Sequence, residues 1–142
     1  RENLNLYLLG RPLSARLPVS LAPSAVDECI GGPVDSPFAP ALNVVTPHTR
    51  ASLSAALDAD FRCLIHVPTT SGAPELVTLL ETHRVRTGVP GLLNASLESS
   101  PAELAETPRQ AIRAAFGSAV DILVMGRFLI AKDYWLMRQP GE

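Results

Sequence analysis

The sequence is poor in cysteine, in aromatic residues and in charge. Aromatic residues make up 5% of the 142 residues, charged residues make up 18%, and only two cysteines are present, Cys29 and Cys63. Two cysteines without companion His or Cys residues at ligand spacing argue against a disulfide scaffold and against a zinc site. We therefore expect two buried thiols, no metal in this domain and a reducing, cytoplasmic location.

Charge of one sign and long apolar runs are also missing. The formal net charge is -2 at pH 7, which gives no electrostatic footprint for nucleic acid or for an anionic membrane surface. No apolar run approaches the roughly 20 residues that span a bilayer, and no signal peptide opens the sequence. Glycine-rich phosphate loops and the Gly-x-Ser-x-Gly motif of serine hydrolases are missing as well. We expect no nucleic-acid or membrane partner.

The sequence does have enough apolar residues for a folded core. Hydrophobic residues make up 46% of the chain, and the length fits one domain over residues 1–142. The first residue is Arg1 and not methionine. We expect the sequence to be a piece of a longer protein.

Short apolar runs alternate with segments that have helical spacing or helix caps. The predicted strands are residues 1–9, the extended segment 18–23, 41–45 and 63–67, and the predicted helices are 24–30, 49–57 and 75–84. This alternation, with some short connections, predicts an α/β fold with a twisted mixed sheet and packed helices.

The stretch from Thr87 to Lys132 predicts a strand, a helix and a second strand. Thr107 is the expected N-cap of the helix and Pro108 its first residue, because proline has no backbone donor to lose there. Ala111, Ile112, Ala115 and Phe116 form its expected apolar stripe.

Asn94 and Ser96 follow the first strand of this stretch. In open α/β sheets, ligands bind near such strand ends. The alternative is that both side chains cap their own loop through local backbone bonds.

Four motifs in this stretch resemble those of a known family. They are Thr87-Gly88-Val89-Pro90, Leu92-Leu93-Asn94-x-Ser96, Thr107-Pro108-x-x-Ala111-Ile112 and Asp121-x-Leu123-Val124-x-Gly126. In order and spacing they resemble the C-terminal, YrdC-like domain of the nodulation and antibiotic carbamoyltransferases. Weaker counterparts lie upstream, among them Gly10-Arg11, Ala22-Pro23-Ser24 and His66-Val67.

The resemblance implies a YrdC-like fold and a division of labour between two domains. This domain would bind carbamoyl phosphate and ATP, as a co-substrate, and form a carbamoyl adenylate. A larger actin-like ATPase-type domain, in the same chain or in a partner subunit, would pass the carbamoyl group to a hydroxyl acceptor.

The resemblance also implies the substrate-binding residues, which are Arg11, Arg16, His66, Asn94 and Ser96. Arg11 stands at a position where the family has an arginine. Arg16 does not, but it would substitute for a second family arginine, whose position in this chain lies a few residues after Arg16. Other family cations are replaced, for example by Leu9 and by Glu98-Ser99-Ser100. A phosphate needs several charge-assisted hydrogen bonds.

Three alternatives stay open at this point. The first is that His66 is a structural, hydrogen-bonded histidine instead of a ligand. The second is that the whole domain is a degenerate, non-catalytic module for structure or protein interaction, and the third is that it binds a different small molecule. No catalytic residue is assigned.

Overall fold

The computed structural model describes residues 16–32, 34, 39–100 and 103–132. The strand predicted over residues 1–9 and the predicted ligand Arg11 lie outside these residues. The chain divides into two compact units, and the described parts of these are residues 16–95 and 96–132.

Residues 16–95 are built on a four-stranded mixed sheet, which confirms the predicted α/β class. The strands are β1 (Val19–Leu21), β2 (Ala41–Val44), β3 (Arg62–His66) and β4 (Gly91–Leu93), in the spatial order β2-β3-β1-β4. Strand β1 runs parallel to β3 and antiparallel to β4, and β2 runs antiparallel to β3. The extended segment 18–23 and the strands at 41–45 and 63–67 were thus predicted within one or two residues.

One face of this sheet carries the core of the unit. Successive residues of a strand point to opposite faces, and in β3 Cys63 and Ile65 are buried whereas their neighbours are half-buried. Both cysteines are free and buried, as expected. Burial raises the pKa of the Cys63 thiol to about 11 and raises the pKa of Cys29.

Two helices accompany the sheet, α1 (Val26–Cys29) and α2 (Pro74–Thr87). Ser24, the first residue of the predicted helix 24–30, lies in a 3₁₀ turn (Pro23–Ala25) that precedes α1, and the N-cap of α1 is Ala25. The Ser24 hydroxyl donates to the carboxylate of Glu81 in α2. Arg84, one turn further along α2, donates to the Ser24 carbonyl and to the carboxylate of Glu28. The serine is therefore used to join the two helices.

The helix predicted over residues 49–57 is wrong. The segment forms two short 3₁₀ turns, Pro47–Thr49 and Ser54–Ala56. Its buried side chains are Thr49, Leu53 and Ala56, and the spacing of three residues between Leu53 and Ala56 matches a 3₁₀ turn, in which residues i and i+3 eclipse. A nine-residue helix has little stability of its own, so packing decides the local conformation.

Gly91 lets β4 approach β1 closely. A Cβ atom at this position would lie 2.5 Å from the Ser20 carbonyl oxygen and 2.8 Å from Cγ1 of Val19. Only glycine fits so close to a neighbouring backbone.

Residues 96–132 form two small hairpins and one helix. The first hairpin pairs β5 (Glu98–Ser100) with β6 (Glu103–Leu104), the helix is α3 (Pro108–Phe116), and the second hairpin pairs β7 (Ile122–Met125) with β8 (Phe128–Ala131). The strand, helix and second strand predicted for 87–132 are present as β4, α3 and β7, but the second apolar run forms two strands, β7 and β8, instead of one. Strand β4 belongs to the four-stranded sheet, and the final apolar run folds back on itself at Gly126, where φ is 57°.

The start of α3 is as predicted. Thr107 accepts a hydrogen bond from the Gln110 backbone N–H, the Gln110 side chain binds the Thr107 N–H, and Pro108 is the first helical residue. This reciprocal arrangement is a capping box. The predicted apolar stripe is only partly right, because Ala114 and Ala115 are buried whereas Ile112 and Phe116 are exposed.

Candidate functional site

The parallel pairing of β1 and β3 places Ser20 opposite His66, the last residue of β3. Asn94 follows the last residue of β4, and its backbone N–H donates to the Pro18 carbonyl, which extends the β1–β4 pairing by one step. Because residues two apart in a strand share a face, the Asn94 and Ser20 side chains lie on the same face of the sheet. That face is opposite to the one that carries Val19 and Ile65.

Three side chains meet there, and we call Ser20, His66 and Asn94 the Ser20 cluster. Asn94 Nδ2 donates to Ser20 Oγ over 2.7 Å. Ser20 Oγ lies 2.9 Å from His66 Nδ1. Ser20 is 0% exposed, whereas His66 and Asn94 are half-buried. A buried hydroxyl therefore joins two side chains from different strands.

The cluster leaves two polar groups without a partner in the described residues. These are the carboxamide oxygen of Asn94 and Nε2 of His66, since each residue uses its other polar atom on Ser20. The Asn94 side chain does not cap its own loop, as the local alternative required, because Ser20 is 74 residues away in sequence. A half-buried acceptor and a half-buried ring nitrogen at a strand end are suitable groups for binding a small polar ligand.

Arg16 is held elsewhere in the same unit. Its Nη2 lies 3.2 Å from Oδ2 of Asp58, and the same oxygen lies 3.0 Å from Nε of Arg62. We call Arg16, Asp58 and Arg62 the Asp58 cluster. Backbone N–H donation from Arg62 is the main cause that lowers the pKa of the Asp58 carboxyl, and the Arg62 side chain and the Asp60 N–H lower it further.

Among the predicted ligands of the first unit that the structure describes, it brings together His66 and Asn94 but not Arg16. His66 and Asn94 share Ser20, whereas Arg16 forms an ion pair with Asp58. Ser96 is exposed, belongs to the second unit, and its side chain makes no hydrogen bond within the described residues. Arg11 lies outside the described residues.

Sequence reasoning missed Ser20. The signal that could have found it is a serine between Val19 and Leu21, in a strand that is otherwise fully buried. A buried polar side chain requires a hydrogen-bond partner, so Ser20 should have prompted a search for one at the neighbouring strand ends.

A separate cavity of about 420 Å³ lies beside β2 and contains none of the predicted ligands. It is lined by Gly31, Gly32, Asn43, Thr46 and Arg50 together with apolar residues. Arg50 is held by donation from Nε to the Val45 carbonyl and by the Phe61 ring, 3.8 Å from the guanidinium carbon.

The part of the chain that the structure describes has neither a metal-binding cluster nor a membrane-spanning helix. In this part of the chain, His, Cys, Asp and Glu residues form no group of three or more that could hold a metal ion. No described helix is both long enough and apolar enough to cross a membrane.

A family model described as carbamoyltransferase C-terminus matches residues 11–132, which is most of the chain. No curated protein matches the chain.

Proposed function

The chain belongs to the carbamoyltransferase C-terminus family, and from this premise we propose that it binds the carbamoyl group of carbamoyl phosphate at the Ser20 cluster. Within the same proposal, ATP is the co-substrate and carbamoyl adenylate the product. A larger actin-like ATPase-type domain, in the same chain or a partner, passes the carbamoyl group to a hydroxyl acceptor.

The observation that carries this proposal is the meeting of His66 and Asn94 on one buried hydroxyl. Both residues match positions of the family motifs, and they come from different strands. A carbamoyl group presents a carbonyl oxygen that accepts and an NH₂ that donates. The Asn94 carboxamide oxygen suits the NH₂, and a proton on His66 Nε2 suits the carbonyl oxygen.

The described residues fit the carbamoyl end better than the phosphate end. A phosphate or triphosphate requires cations or several converging N–H donors. Arg16, the predicted cation in the described residues, is already paired with Asp58. We therefore assign no adenylation step to the described residues, and Arg11 stays the predicted ligand for the anionic part.

Calorimetric titration of the chain with carbamoyl phosphate tests the carbamoyl assignment. We expect Asn94→Ala to weaken binding about tenfold, because one hydrogen bond contributes about 1 kcal/mol or slightly more. Arg16→Gln is the matched control and should bind as the wild type does, since Arg16 is engaged with Asp58. Absence of binding at millimolar ligand, or equal losses in both variants, would count against the assignment.

A second function is favoured by the pairing of Arg16 with Asp58. If the chain has lost its anion-binding cations, it serves as a non-catalytic structural or interaction module. Pyrophosphate release separates the two functions: water removes the phosphate of carbamoyl phosphate as orthophosphate, and attack of the resulting carbamate on the α-phosphorus of ATP then releases pyrophosphate. Release above background with ATP and carbamoyl phosphate rejects the module, and release that Arg11→Ala abolishes identifies Arg11 as a required cation.

A further inference from the structure

The direction of the hydrogen bonds in the Ser20 cluster follows from counting donors and acceptors. A serine hydroxyl has one proton and two lone pairs, and a carboxamide nitrogen is a donor only. Asn94 Nδ2 lies 2.7 Å from Ser20 Oγ, so the hydroxyl oxygen accepts this bond. The Ser20 proton is then not used on Asn94.

That proton needs an acceptor because Ser20 is fully buried. An unsatisfied buried donor costs about 1–3 kcal/mol. Within the described residues, His66 Nδ1, at 2.9 Å, is the other polar atom bonded to the Ser20 side chain. Ser20 Oγ–H therefore donates to Nδ1, which then carries no proton, and the neutral imidazole holds its one proton on Nε2.

We propose that Ser20 is a positioning residue that fixes His66 in the tautomer with its proton on Nε2, so that this N–H is the donor offered at the strand ends. Asn94 sets the direction by supplying its nitrogen and not its oxygen to Ser20. The benefit for ligand binding rests on the proposed carbamoyl function, but the tautomer itself does not.

The reverse arrangement has a different chemical consequence. If Asn94 offered its oxygen, Ser20 would donate to Asn94 and accept from Nδ1–H of His66. Nε2 would then be an acceptor, suited to a ligand N–H or to accepting a proton. The two arrangements differ only in proton positions and in the orientation of one carboxamide, so they are distinguished by measuring the ring nitrogens.

The test is the ring ¹⁵N spectrum of the labelled chain at about pH 8, well above the usual histidine pKa of about 6.5. For His66 we expect an unprotonated, pyridine-type Nδ1 and a protonated, pyrrole-type Nε2. His48 and His83 are internal controls: among the described residues, the side-chain hydrogen bond at His83 is accepted by its backbone oxygen, and neither ring takes part in one. Both should show values averaged over the two tautomers. A pyrrole-type Nδ1 in His66 would overturn the proposal.

Two variants should change the His66 tautomer in different and predictable ways. Ser20→Ala should move the His66 shifts toward the averaged values of His48 and His83, provided that the backbone amide spectrum stays native. Asn94→Asp replaces the donor by a carboxylate that accepts the Ser20 proton, so Ser20 must accept from His66 and the proton should appear on Nδ1. The Asn94 variant keeps the test decisive if Ser20→Ala does not fold. A pyridine-type Nδ1 in folded Asn94→Asp would overturn the proposal.

Titration of the same variants with carbamoyl phosphate separates this inference from the proposed function. Weaker binding of Ser20→Ala together with its altered tautomer supports both. If carbamoyl phosphate does not bind to any variant while the tautomer changes follow the expected pattern, the proposed ligand is wrong and the positioning of His66 by Ser20 stands.

Discussion

The Ser20 cluster and the Asp58 cluster both join distant segments of residues 16–95, but they do so with different chemistry. The Ser20 cluster has no carboxylate or arginine, and its central hydroxyl is fully buried. The Asp58 cluster consists of charges: the side chains of Arg16 and Arg62 are 46% and 39% exposed, and that of Asp58, which they share, is 10% exposed.

The difference shows where positive charge is used in this unit. The arginine expected to serve a ligand, Arg16, pairs with Asp58, and among the described residues the side chains that bond to Ser20 are an imidazole and a carboxamide. Neutral groups suit a neutral ligand group such as a carbamoyl amide better than a phosphate. Exposed ion pairs also contribute little to stability, whereas a buried hydroxyl that loses its partners is costly. Substitutions in the Ser20 cluster should therefore lower the free energy of unfolding more than substitutions in the Asp58 cluster.

The largest expected effect comes from Gly91→Ala, which pushes β4 away from β1. The new Cβ would lie 2.5 Å from the Ser20 carbonyl oxygen, and this oxygen is backbone, which cannot move aside as a side chain can. We expect a loss of about 3 kcal/mol in the free energy of unfolding, measured by urea denaturation.

Gly31→Ala is the matched control for this change. A Cβ at Gly31 would meet nothing within 4 Å, so the stability should change by less than about 0.5 kcal/mol. Similar losses in the two variants would mean that the close approach of β4 to β1 is not what holds Asn94 against Ser20.

The next effect is the coupling between Ser20 and Asn94. Ser20→Ala should cost about 1–3 kcal/mol, because it leaves two half-buried groups without their partner. A double-mutant cycle with Asn94→Ala should give a coupling energy of about 1 kcal/mol. The same cycle for Arg16→Gln and Asp58→Asn should give a smaller coupling. If the coupling energy of Arg16 and Asp58 is the larger, the charged cluster and not the neutral one contributes more to stability.

A smaller effect is expected from acid. The pKa of Asp58 in the folded chain lies below its ordinary value, chiefly because the Arg62 backbone N–H donates to the carboxylate. Its contribution to stability is then present above the unfolded pKa and is lost as the pH falls through the folded pKa. Asp58→Asn should be less stable than the wild type near neutral pH, and the two should converge as the pH is lowered.

The control for the acid experiment is Asp27→Asn. Asp27 is exposed and forms no ion pair in the described residues. The free energy of unfolding of this variant near neutral pH should be closer to that of the wild type than that of Asp58→Asn is, because no ion pair is lost. If the free energies of unfolding of Asp58→Asn and the wild type instead differ by the same amount at every pH down to acid unfolding, Asp58 does not contribute to the acid sensitivity of the fold.

Local patterns predicted the elements whose causes are local. The cap of α3 needs only Thr107, Pro108 and Gln110, which lie within four residues. Strand β3 was predicted as a short apolar run with a His at its end, and its inner residues are indeed buried. The turn at Gly126 was missed because the glycine was read as part of an apolar run, although a glycine with positive φ is what a tight hairpin requires.

The candidate site depends on contacts between residues far apart in sequence, which no local pattern encodes. Ser20 meets residues 46 and 74 positions away, and Arg16 meets Asp58. The family motifs identified His66 and Asn94 but gave no reason to choose Ser20. The motifs also gave no reason to exclude Arg16 as a ligand. The carboxylate that pairs with it, Asp58, lies outside all of the motifs.

The smallest expected effect concerns Cys63, which lies in β3 between Arg62 of one cluster and His66 of the other. Its thiol pKa is raised to about 11, mainly by burial and secondly by the negative charge of Asp58. Asp58→Asn should therefore lower the Cys63 pKa, so that its Cβ resonance begins to shift toward thiolate values at a lower pH than in the wild type. The titration is followed by ¹³C NMR up to the pH at which the backbone amide spectrum is no longer native.

Cys29 is the internal control in the same spectra. Burial and then Glu28 raise its pKa, and Asp58 is not among the causes, so its resonance should titrate alike in both chains. A selective change at Cys63 would show that the charge of Asp58 is felt inside the sheet, whereas its influence on the neutral Ser20 cluster should be too small to alter the His66 tautomer. Equal changes at both cysteines would instead indicate a general loosening of the core, and the two clusters could then no longer be treated as independent.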